Sequence, residues 1–193
     1  GIAFISLPIL LESAYGYSPF VSALLFTPWP VAIVLVAPYA GRLADRHKPA
    51  TLATAGLIVF AAGLALLALL PYDASVWDIA WRELVCGAGF GFFQSPNNRE
   101  MLANVSRERS SNASGVLAIA RTFGQCLGTA LVGVILSAYA AHIAAGGGKL
   151  EGLALAHAIE WTLWLAMAAT VAALIISSRR LGVRPAAAGQ QPS

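Results

Sequence analysis

Residues 50–70 read ATLATAGLIVFAAGLALLALL, a run from Ala50 to Leu70 that carries no charged side chain and has hydroxyls only at Thr51 and Thr54, near its start. As a helix rising about 1.5 Å per residue, such a run is about 31 Å long, which matches the hydrocarbon layer of a bilayer. In lipid, a helix lets every backbone N–H and C=O find its partner within one segment. The run therefore predicts a membrane-spanning helix, and its neighbours extend that reading in both directions.

Of 193 residues, 58% are apolar and 11% charged, whereas a soluble domain is about a quarter charged. Further helices are expected at about 1–13, 20–40, 76–95, 113–139 and 153–177. Residues 1–178 would then form one all-α six-helix bundle, and 179–193 a disordered tail rich in Pro, Ala, Gly and Gln. The first run, Gly1 to Leu11, is about 16 Å long as a helix, too short to span. It follows no Met, basic leader or cleavage site, so it is expected to be the remainder of a cut helix with more chain upstream. Pro28, Pro30 and Pro38 interrupt the second helix but are tolerable where neighbours re-satisfy the freed backbone groups. Pro71 and Pro96 are expected to end the third and fourth. A polar connection, Asn97 to Asn112, and a glycine-containing loop, Ala144 to Gly152, complete the path.

The net charge of +3 could indicate nucleic acid, but the placement of the basic residues gives another account. Arg42, Arg46 and Lys48 follow the second helix; Arg99, Arg107 and Arg109 follow the fourth; Arg179, Arg180 and Arg184 lie in the tail. The opposite loops hold Lys149. By the positive-inside rule, the loops around 41–50 and 97–112 and the tail are cytoplasmic. No nucleic-acid partner is needed to explain the charge. Cys86 and Cys126 both fall in apolar runs, where packing is their expected role. Gly146-Gly147-Gly148-Lys149 is not a phosphate loop, because Ile143 and Leu150 stand where Gly and Ser/Thr are required.

Polar residues within membrane helices cost free energy and usually face the bundle interior or a water-filled cavity. On the fifth helix Ser114, Ala118, Arg121, Gln125 and Gly128 recur every three or four residues, with Thr122 and Thr129 beside them. Arg121 reads either as a cavity or gate charge or as a side chain snorkelling to the headgroups. Gly124 and Gly128 have the G-x-x-x-G spacing of close helix contact. On the fourth helix Glu83, Gly87, Gly91, Gln94 and Asn98 share a side, and the run from Gly87 to Gly91 suits close packing or bending. Arg82 and Glu83 read as an interfacial ion pair or as a substrate or proton site. The third and sixth helices, poor in polar residues, are expected at the lipid-facing periphery. His157 and Glu160 have a spacing that could ligate a metal, but no third ligand is apparent, so no metal and no cofactor is expected.

The segment Gly41-Arg42-Leu43-Ala44-Asp45-Arg46-His47-Lys48-Pro49 resembles the loop motif of the major facilitator superfamily, in the form found in the second half of such transporters, with Pro49 where the family usually has Gly. Cys86 to Asn98, and Ser114-Gly115 through Arg121-Thr122-Phe123-Gly124-Gln125 to Gly128-Thr129-Ala130, are similar to successive helices of bacterial multidrug efflux members of the fourteen-helix drug:proton antiporter branch. The likeness covers about residues 1–180. It implies the carboxy-terminal half of an alternating-access carrier in the bacterial inner membrane, with the substrate site between halves. It also implies Gly41, Arg42, Asp45 and Arg46 as a conformational gate, and a cavity or coupling role for Arg121, Gln125, Thr129, Glu83, Gln94 and Asn98. Expected partners are membrane lipid, the missing amino-terminal half, a small lipophilic substrate and protons. Acidic coupling residues are expected mostly in that other half, so this chain alone should not transport.

Three alternatives stand beside this reading: a proton-coupled importer of a small solute on the same fold, a helical scaffold without transport, and an intramembrane serine protease. The last lacks G-x-S-x-G. It also separates Ser114 from His142 and His157 across the membrane, so that serine has no base in reach.

Overall fold

The computed structural model describes residues 2–71, 73–103, 110–145 and 153–180. Among them the chain is helical between short turns: α1 (Ile2–Ser13), α2 (Pro19–Phe26), α3 (Pro28–Leu43), α4 (Pro49–Ala68), α5 (Val76–Ala103), α6 (Ser110–Ala145) and α7 (Leu153–Arg180). Helices α2 and α3 form one rod, Pro19–Leu43, so the segments count as six rods. Pro19–Leu43, Pro49–Ala68, Ser111–Ala145 and Leu155–Ser178 are long and apolar enough to cross a membrane. Helix α5 is long enough, but Asp78, Arg82, Glu83, Gln94 and Arg99 lower its hydropathy.

The rod divides at Thr27 because Pro28 has no N–H to give the Leu24 carbonyl. The Thr27 N–H donates to that carbonyl instead, at 3.1 Å. The Thr27 hydroxyl then donates to Ala23 O at 3.0 Å. A helix that would be broken in water is thus re-satisfied within one turn.

Several boundaries differ from the sequence expectation. Helix α5 passes through Pro96 and ends at Ala103, so Asn97, Asn98 and Arg99 are helical rather than part of a connection. Pro96 is buried within the bundle, and packing there offsets its one missing hydrogen bond. Helix α6 runs from Ser110 to Ala145, beyond the expected 113–139, and α7 takes in Arg179 and Arg180 from the expected tail. Gly41 and Arg42 belong to the last turn of α3, and Pro49 opens α4 at a position where its fixed φ suits a helix start. Residues 104–109, 146–152 and 181–193, with Arg107, Arg109, Lys149, Arg184 and the glycine loop, lie outside the described residues.

Three helices form a tight pillar. A Cβ on Gly56 would lie 2.4 Å from the Phe93 nitrogen, and one on Gly89 2.3 Å from the Phe60 nitrogen, so α4 and α5 touch backbone to backbone. A Cβ on Gly87 would lie 2.3 Å from the Trp29 carbonyl oxygen, which seats α3 on the next face of α5. One apolar cluster, including Leu7, Trp29, Leu64, Leu67, Cys86 and Leu163, joins α1, α3, α4, α5 and α7. Helix α4, expected at the periphery, is well covered along one face, while Ile58 and Val59 are exposed on the other. It pairs with α7, where Thr54 and Ser177 share a hydrogen bond of 2.9 Å.

Candidate functional site

Two polar meeting points join elements far apart in sequence. At the first, Arg99 of α5 forms an ion pair with Asp45, in the turn after α3. Arg99 Nη1 also donates to Gly41 O at 3.4 Å. Gly41 lets α3 lie close here, since a Cβ on it would be 3.1 Å from Ser95 Oγ. Both charged groups are about half exposed, and an ion pair at such a site is worth about 0–1 kcal/mol. A contact of that size does not by itself lock the turn after α3 to α5. Arg42 and Arg46 are exposed beside it.

The second meeting point lies one and a half turns along α5. With the Gln94 amide oxygen turned to the guanidinium, it accepts from Arg121 Nη2 at 2.7 Å and Nη1 at 3.1 Å. Gln94 is five residues from Arg99, or about 8 Å along the axis of α5. Arg121, exposed on α6, is therefore held by this half-buried amide. Gln125 and Thr129 continue the α6 stripe away from it, both exposed, with the Thr129 hydroxyl donating to Gln125 O at 2.9 Å. Asn98 is half-buried one turn from Gln94.

Helix α6 is otherwise almost bare. Among the described residues it buries Gly128 and Val132, while Val116, Ile119, Phe123, Leu127 and Val134 are exposed. Of the Gly124–Gly128 pair, Gly128 is buried, while a Cβ on Gly124 would meet nothing within 4 Å. Gly87 and Gly91 do face a neighbour, α3.

Arg82 and Glu83 part company. Arg82 Nη1 donates to Leu66 O at 2.7 Å and Leu69 O at 3.2 Å, capping the carboxy-terminal end of α4. Its nearest carboxylate is Asp78, at 3.9 Å. Glu83 is 0% exposed, and neither of its carboxyl oxygens has a hydrogen-bond partner. Glu160 accepts from Trp164 Nε1 at 3.3 Å, and no three His, Cys, Asp or Glu side chains gather among the described residues.

The family model described as Major Facilitator Superfamily matches residues 1–193. The chain belongs to the Major Facilitator Superfamily. Its relatives include the uncharacterized transporter YebQ of Escherichia coli, 45% identical over 72% of this chain and 30% of that protein. The riboflavin transporter RibZ of Clostridioides difficile is 34% identical over 64% of this chain and 27% of that protein. The puromycin resistance protein pur8 of Streptomyces alboniger is 29% identical over 91% of this chain and 37% of that protein. The chain thus spans about a third of the length of these relatives.

Members of this superfamily are transporters, and the apolar rods accord with a multi-pass bacterial membrane protein. For this superfamily member, the sequence grouped Gln94 and Arg121 as candidates but did not pair them. In the sequence Arg99 stands out by its charge alone. Its partnership with Asp45 crosses two helices, and no local spacing signals it.

Proposed function

We propose that the full-length protein bearing this chain exports lipophilic compounds from the bacterial cytoplasm by proton antiport with alternating access. The Gln94–Arg121 contact carries this reading. It holds an exposed guanidinium against α5, on a helix whose polar stripe, Gln125 and Thr129, has no covering element among the described residues. Such a stripe is costly against lipid and useful against a water-filled path. The occupant of the opposite side is then the amino-terminal half, with lipid against Ile119, Phe123 and Val134. The Asp45–Arg99 contact serves as a gate that opens and closes at little cost, with Gly41, Arg42 and Arg46 around it. In this orientation the α3–α4 and α5–α6 connections face the cytoplasm. Relatives named for multidrug resistance, such as Stp of Mycobacterium tuberculosis, 30% identical over 67% of this chain, support the export of lipophilic compounds.

A second reading, proton-coupled import of a small solute, draws support from the riboflavin transporter, which at 34% identity matches more closely than Stp. Direction separates the two. Right-side-out vesicles preloaded with ethidium should lose it faster when the full-length protein is energised by a proton gradient. Gradient-driven uptake of riboflavin, with ethidium efflux unchanged, would replace export with import.

A further inference from the structure

Glu83 is an ionisable group with no visible reason to be where it is. It lies seven residues into α5, about 10 Å from the Val76 end. One turn toward that end, Ile79 belongs to an apolar cluster with Leu11, Leu25 and Ala74. One turn the other way, Cys86 belongs to the cluster with Leu7, Trp29, Leu64 and Leu67. The carboxyl group is thus set between two apolar clusters at the junction of α1, α2, α3 and α4. Burying an ionised carboxylate there with both oxygens unpartnered costs several kcal/mol.

No described cation offsets that cost. Helix α4 has no titratable side chain, and the α2–α3 rod has only Tyr39 and Arg42, both near its far end. On α1 Glu12 is exposed; on α7 Glu160 is held by Trp164, and His157 is exposed. Arg121 of α6 is engaged by Gln94, and Arg82 turns its guanidinium to α4. On Glu83's own helix Cys86 is a buried thiol. Besides Glu83's own oxygens, three buried side-chain atoms lack partners among the described residues: Arg82 Nε, on the arginine whose Nη1 is turned to α4, and Ser22 Oγ and Trp29 Nε1, both on the rod that packs on α5. The last two are donors without acceptors on an element facing an acceptor without donors.

We propose that Glu83 is the residue of this half that takes up and releases the transported proton, apart from the Gln94–Arg121 contact that borders the substrate path. The inference rests on the antiport reading. One proton binds the carboxylate and cancels its charge in the sealed state. On release, the carboxylate turns to Ser22 and Trp29, whose rod is divided at Thr27 and can repack about that point.

The test uses the full-length transporter reconstituted in lipid. Infrared difference spectra recorded as pH is stepped should show a carboxyl C=O band in the wild type that is missing in Glu83→Gln. Identical bands in both overturn the proposal and leave export untouched. If Glu83→Gln fails to accumulate, Glu83→Asp carries the same test. Its band should be displaced from the wild-type position, and an unmoved band overturns the assignment. In proteoliposomes with ethidium as probe, Glu83→Gln should retain ethidium exchange and lose its acceleration by an imposed pH gradient. Acceleration equal to wild type removes Glu83 from coupling. A wild-type flux that ignores the gradient tells against antiport itself, and with it against Glu83 as carrier of a transported proton.

Discussion

Helices α5 and α6 follow one another in the chain and both carry glycines and polar residues, yet they occupy opposite environments. Glycines of α5 bring the backbones of α3 and α4 into contact, and its polar groups are buried or engaged. Three glycines of α6 open onto empty space instead: a Cβ on Gly115, Gly124 or Gly133 would meet nothing within 4 Å. The difference separates a pillar that keeps its shape from a wall that waits for another surface. A carrier needs both, since rigid-body alternation requires one part to move against another.

The contrast breaks most severely at the pillar. Gly89→Leu should prevent stable accumulation, because even its Cβ would overlap the α4 backbone, and overpacking a tight interior costs about 1–3 kcal/mol or more. Membrane abundance and thermal unfolding in detergent would read this. Arg121→Ala should spare abundance and unfolding temperature while abolishing most drug resistance in cells expressing the full-length protein; unchanged resistance removes Arg121 from the path. Arg121→Lys should restore little, because an ammonium does not reproduce the two-pronged contact with Gln94. At the gate, Asp45→Asn and Arg99→Gln should each change transport rate with little effect on unfolding, and the exchanged pair Asp45→Arg with Arg99→Asp should recover part of it. At the small end, Gly115→Ala and Gly133→Ala should be neutral or stabilise α6 by about 0.5–1 kcal/mol.

Legibility in the sequence followed the same divide. The helices were readable because length and apolarity act locally: Ala50 to Leu70 needs no neighbour to be recognised as a span. Helix ends were less so, since Pro96 stops a helix in water and not inside a bundle, and this hid the helical residues from Asn97 to Ala103. The α6 stripe was visible as a three-to-four spacing, but the pairing of Arg121 with Gln94 depends on how α5 and α6 cross. The ion pair, one of the two readings of Arg82 with Glu83, does not form, for a geometric reason. Adjacent residues on a helix point about 100° apart, so one reached the carbonyls of α4 and the other turned into the core.

The two native cysteines and one introduced beside them offer the most direct measurement of a sealed pillar and a water-exposed wall. Cys86 is buried against Gly63 of α4, and Gln125 is exposed on the α6 stripe. In the full-length transporter with Cys126→Ser, a charged, membrane-impermeant thiol reagent should modify Gln125→Cys and leave Cys86 untouched, with ethidium slowing the reaction at position 125. Labelling of Cys86, or a Gln125→Cys that reacts with lipid-soluble maleimides and never with the charged reagent, would contradict the account.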